Sequence, residues 1–175
     1  MIVKTKYESL LESEIFRKWK ENNPETYLAH AFAILDNKSD GEWQFGYYNF
    51  NSGLMTSFFM NEEGITCSPE TEVFKKEETA VSELYMEDVK IDFKEALSIV
   101  DNLIRQKYSS EQPAKKIVLL QALDIGAIWN ISIMTLHFNV LNVKIDAGDG
   151  RILENKLVSA MDFSSGIIKG ERKAD

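Results

Sequence analysis

Any chemistry in this 175-residue chain would have to start from two histidines and one cysteine. His30 lies inside the apolar run YLAHAFAIL, and His137 lies at the end of ISIMTLHF. Neither has a second histidine or a carboxylate at ligand spacing. A metal site needs several such donors converging, and acid–base catalysis needs a neighbour that tunes the imidazole. Both histidines are therefore read as packed or edge positions of strands. Cys67 follows Ile65-Thr66 and reads as a small hydrophobe, because no local base or basic cluster would generate its thiolate. The acidic pairs Glu62-Glu63, Glu77-Glu78 and Glu87-Asp88 sit in polar runs and read as solvated surface. Asp146, Gly148 and Asp149 have the look of a calcium loop but lack its twelve-residue ligand pattern, so turn chemistry is expected there. No catalytic, cofactor-binding or metal-ligating residue is assigned, and no cofactor is expected.

The elements that would position these residues repeat. Thr5-Lys6-Tyr7-Glu8 and Asp92-Phe93-Lys94-Glu95 both have the form of a helix capping box. Tyr7, Leu10, Leu11, Ile15 and Trp19 follow the first at helical spacing. Phe93, Ala96, Leu97, Val100, Leu103 and Ile104 follow the second. Both patterns stop at polar, proline-containing segments, Asn22-Asn23-Pro24 and Ser109 to Pro113. An apolar strand-length run comes next in each half, Tyr27 to Leu35 and Lys116 to Leu123. Period-two alternation then starts at a tryptophan: Trp43, Phe45 and Tyr47 in one half, Trp129, Ile131 and Ile133 in the other. A third strand, Leu54 to Met60 or Val140 to Asp146, closes on a turn glycine, Gly64 or Gly150. The tryptophan-to-glycine distance is 21 residues in both halves.

This pattern predicts an α+β fold of two tandem helix-plus-antiparallel-sheet units, residues 1–88 and 89–165, with a polar tail over 166–175. Each unit lays a helix stripe on the tryptophan-bearing face of its sheet. Between the units, Ser68 to Lys90 is expected to hold a last strand and a connector anchored by Val73, Phe74, Val81, Leu84 and Tyr85. The tail is expected to fray. Both tryptophans are expected in the core rather than at a ligand. Tyr48, Phe50, Met134 and Leu136 fall on the other face, as an apolar patch that homodimerisation or a partner groove would cover.

Val143 to Leu153, VKIDAGDGRIL, resembles the closing hairpin of PepSY domains, which runs V-x-I-D-A-x-T-G-x-(I/V)-L. Asp149 stands where threonine is common, and Asp92 to Leu97 resembles the start of the family's helix. The resemblance covers roughly residues 89 to 160. In the first half Phe58 to Gly64, FFMNEEG, replaces the diagnostic strand. It implies tandem units of cystatin-like shape, without catalytic residues, in a family thought to restrain peptidases.

The composition sets the remaining limits. With 44% hydrophobic residues the chain can form a packed core, and its formal net charge of −8 repels a phosphate backbone, so nucleic acid is not an expected partner. Lone Cys67 allows no intrachain disulfide and fits a reducing compartment. Met1 to Lys6 lacks the apolar stretch of a secretory signal, and no run reaches the roughly 18 residues of a membrane span. The expectation is a cytoplasmic, non-enzymatic module that binds a protein or peptide. A small-molecule site between helix and curled sheet is the alternative.

Overall fold

The computed structural model describes residues 2–35, 41–72 and 80–159. Two short helices open it, α1 (Ile2–Glu12) and α2 (Glu14–Asn22). Five strands follow: β1 (Thr26–Leu35), β2 (Trp43–Asn49), β3 (Leu54–Asn61), β4 (Gly64–Cys67) and β5 (Thr71–Glu72). A 3-10 turn at Met86–Asp88 leads to α3 (Phe93–Lys107). The chain ends in β6 (Pro113–Leu123), β7 (Gly126–Thr135), β8 (Asn139–Asp146) and β9 (Ile152–Ser159). The strands form one antiparallel sheet in the order β4-β3-β2-β1-β6-β7-β8-β9, with β5 paired to β3. The fold is α+β and mostly sheet. Val73, Phe74, Glu77, Glu78 and the expected polar tail lie outside the described residues.

The seam of the sheet is the β1–β6 pair, in register from His30 opposite Gln121 to Leu35 opposite Lys116. Side chains alternate between faces along each strand. Ala31, Ala33, Trp43, Phe45, Val118, Leu120, Trp129 and Ile131 share one face and are all fully buried. The helices pack on this face. Tyr7 meets Phe45, Phe16 meets Tyr47 and Phe58, and Phe93 meets Trp43 edge-on at 5.3 Å. One hydrophobic cluster thus draws on both halves of the chain. The tryptophan alternation behaves as its period predicts.

The helix starts divide. Asp92 caps α3, but its carboxylate accepts from the adjacent Phe93 amide (2.8 Å) rather than from the third residue on. Its second oxygen accepts from the Ile2 amide at the start of α1 (3.0 Å), so one carboxylate serves two helix N-termini. Thr5, by contrast, is no cap: α1 begins at Ile2, and Thr5 lies inside it with its carbonyl accepting from the Ser9 hydroxyl. The first helix is also not continuous. Ser13 breaks it and caps α2, its Oγ accepting from the Phe16 amide at 3.3 Å. The break shifts the phase of the stripe. Val3, Leu10 and Phe16 are buried, while Leu11 and Ile15 turn outward. Replacing Asp92 with alanine is expected to cost about 1–3 kcal/mol, since it removes one cap and strands a second helix amide. Urea unfolding checks this, and Asp92→Asn should recover part of the loss.

The turn glycine behaves as read from the sequence. Gly150 has φ 80°, a conformation glycine adopts without a Cβ penalty.

Candidate binding face and cavity

The face of the sheet opposite the helices carries His30, Phe32 and Ile34 on β1 and Ile117, Leu119 and Gln121 on β6. Phe32 stands directly opposite Leu119, and Ile34 opposite Ile117. These four apolar side chains form a patch over the seam and belong to neither hydrophobic cluster. Ile34 is 41% exposed. Polar, uncharged neighbours flank the patch. Gln44 donates to Ser57 Oγ (2.7 Å), and Asn142 donates to Asn130 (2.6 Å) and Ser132 (2.9 Å).

The expected patch of Tyr48, Phe50, Met134 and Leu136 is corrected by this arrangement. Tyr48 is buried in a small second cluster with Ala29 and Met55, against Tyr27 and Val81. Phe50 is in the turn after β2, whereas Met134 and Leu136 are at the end of β7. Because β2 and β7 run in opposite directions, these pairs lie at opposite ends of the sheet. Met134, Leu136 and the 77%-exposed Phe138 instead flank a groove of about 250 Å³ beside Lys115 and Val140.

His30 projects onto the face opposite the helices, over Gly46: a Cβ added at Gly46 would meet the imidazole at 2.2 Å. Burial pulls the His30 pKa down from 6.5 to about 4. His137 is in the β7–β8 turn, half exposed, with Nδ1 3.7 Å from Glu111. No spacing in the sequence signals that partner. Glu111 precedes β6, and pairing of β6 with β7 carries it to the turn. Hydrogen bonding to Thr135, and then to Asn139, holds its carboxyl below the usual carboxylate range. At 3.7 Å the two groups make an ion pair when His137 is protonated, not a short proton-transfer couple.

The remaining candidates are spread over the core, the turns and the surface. Cys67 is half-buried against the core, and burial raises its thiol pKa. Trp43 and Trp129 are fully buried; Trp129 Nε1 donates to the Ile91 carbonyl at 2.9 Å. Asp146 and Asp149 accept from the Gly148 and Arg151 amides at 2.8 and 2.9 Å, as turn-forming side chains do. Glu62 and Glu63 are exposed, as are Glu87 and Asp88. Among the described residues no three His, Cys, Asp or Glu side chains converge as metal ligands.

A second concavity opens on the helix side, beside the break at Ser13, between α1, α2 and the strands β1 and β2. Its volume is about 260 Å³, and residues 83–87 close one wall. Tyr47 donates to the Tyr7 hydroxyl (3.3 Å) at its inner end. Burial raises the pKa of both tyrosines, so they stay neutral.

The fold defines an α+β protein dominated by one antiparallel sheet. No known family model and no curated protein sequence match this chain. Among solved structures, a "putative lipoprotein (CD1622)" from Clostridium difficile 630 is similar, with a TM-score of 0.55 at 10% identity. The match covers 83% of this chain and 91% of that chain, and at this identity it is a likeness of fold. Among the described residues no helix is long and apolar enough to cross a membrane.

Proposed function

We propose that this chain is a non-enzymatic module that binds a protein or peptide on the face of its sheet away from the helices. The observation that carries the reading is the patch of Phe32, Ile34, Ile117 and Leu119, which lies outside both cores on the face away from the helices. Apolar surface of this kind, rimmed by amide side chains, marks interaction sites on otherwise charged proteins. In this proposal the scaffold is a pair of PepSY-like units, residues 1–88 and 89–165. Support comes from the strand order, which runs outward from the β1–β6 seam as β2-β3-β4 on one side and β7-β8-β9 on the other. The VKIDAGDGRIL hairpin supplies the family link, and peptidase restraint is the version of the function that the family suggests.

A panel of metallo- and cysteine peptidases, assayed for binding and inhibition, tests that version; absence of both removes it. The face itself is tested by Leu119→Lys. This change is expected to weaken partner binding by about tenfold or more, since burying an unpaired charge costs at least about 1.4 kcal/mol. Its thermal midpoint should fall only modestly, because Leu119 is half-buried and belongs to neither core cluster. Binding unchanged in Leu119→Lys would point away from this face.

Two lines bear on the setting. A single half-buried cysteine fits a cytoplasmic, reducing environment. The structural neighbour's lipoprotein name points to an extracytoplasmic setting instead. Fractionation of the producing cells distinguishes them.

A further inference from the structure

We infer that the cavity between the broken first helix and the sheet is a binding site for a small organic ammonium ion. Its lining carries the aromatic rings of Tyr7, Phe16, Tyr47 and Tyr85. Aromatic faces present negative potential and attract a diffuse cation, as in the cages that hold methylated ammonium groups. Glu83 and Glu87 complete the lining against a single cation, Lys20, so the charged groups leave an excess of negative charge.

Lys20 does not reverse that preference. Its ammonium donates to the Pro24 carbonyl (3.1 Å), the Thr26 carbonyl (2.5 Å) and the Thr26 hydroxyl (3.1 Å). An ammonium has three N–H donors, so these contacts use them all and leave none for an anion. The tyrosine and glutamate oxygens remain as acceptors. Glu83 already accepts from Tyr85 (2.7 Å), which holds its carboxylate in the wall. A bare metal ion is poorly served here, since it needs several converging carboxylates or imidazoles. A volume of about 260 Å³ suits a compact ligand below drug size.

One local feature contributes to the site. The helix break at Ser13 turns Leu11 out of the core stripe and onto the cavity rim. The cavity is on the helix side of the sheet, so the inference stands apart from the proposal for the opposite face.

Calorimetric titration with choline, its uncharged isostere 3,3-dimethylbutan-1-ol, and phenethylammonium tests the assignment on the full chain. Saturable binding of at least one ammonium is expected at millimolar concentration or below, with the neutral isostere about tenfold weaker. Glu87→Gln, on an exposed turn where it leaves the fold intact, should weaken the ammonium about fivefold. Tyr7→Phe controls for the hydroxyl while keeping the ring, and should retain most of the binding. Equal affinity for the neutral isostere, indifference to Glu87→Gln, or no saturable heat with either ammonium overturns the inference.

Discussion

Trp129→Ala is expected to lower the unfolding free energy by about 3–5 kcal/mol, the usual cost of emptying a large aromatic site in a close-packed core. Trp129 is fully buried on β7 beneath the start of α3, and its indole N–H bonds the Ile91 carbonyl in the segment that leads into that helix. The phenylalanine variants carry the sharper contrast. Trp129→Phe loses ring volume and also leaves the Ile91 carbonyl without its donor. Trp43 is equally buried, yet its Nε1 has no hydrogen-bond partner among the described residues. An unpaired buried donor costs about 1–3 kcal/mol, so removing it offsets lost packing. Trp43→Phe should therefore be milder than Trp129→Phe by at least about 1 kcal/mol. Urea midpoints at equal m-value measure the difference. Equal losses at the two sites would show that the Ile91 bond contributes nothing.

The second large effect is acid sensitivity centred on His30. Its folded pKa, about 4, lies below the 6.5 of an unfolded chain because burial disfavours the imidazolium. Between those values the unfolded state binds a proton that the folded state refuses, so stability rises with pH across that window. The contribution is fully present above pH 6.5, declines as the pH falls toward 4, and is level below. A shift of this size corresponds to about 3 kcal/mol in all and about 2 kcal/mol between pH 7 and pH 5. Glu111 and Glu154, whose carboxyls are held below their ordinary value, lose their contribution only at more acid pH, so the upper window reports His30.

His30→Phe keeps a ring over Gly46 and should flatten the profile from pH 7 to pH 5. Gly46→Ala approaches the same result from the other strand. Its Cβ would sit 2.2 Å from the imidazole, so the ring must swing away from Gly46 toward solvent. Once solvated, His30 should titrate near 6.5 and the slope should vanish. Persistence of the full slope in both variants would assign it to other groups. NMR titration of the two imidazoles distinguishes them directly.

Much of the local structure was legible before any coordinates. Period-two alternation from Trp43 and from Trp129 identifies the buried face because neighbouring strand residues point to opposite sides. The Asp92 cap and the turn at Gly150 are equally local, since each depends on a few consecutive residues. The first helix departs from its sequence pattern on a similarly local point: Leu11 and Ile15 fit a continuous stripe only if Ser13 lets the helix run through, and Ser13 caps a new helix instead.

The sites themselves were not legible, because each depends on pairing between distant segments. Glu111 reaches His137 only once β6 and β7 align. His30 sits over Gly46 only in one register of β1 on β2, and a one-residue slip would move it to the other face. The apolar patch exists because β1 lies against β6 and brings Phe32 to Leu119. By itself the sequence determined the main strands, the third helix and the apolar side of the tryptophan strands, since these follow from backbone period and short-range sterics. Which strands meet, in what register, and hence which side chains share a surface, was decided by the tertiary structure, because long-range pairing is selected by packing of the whole sheet against its helices.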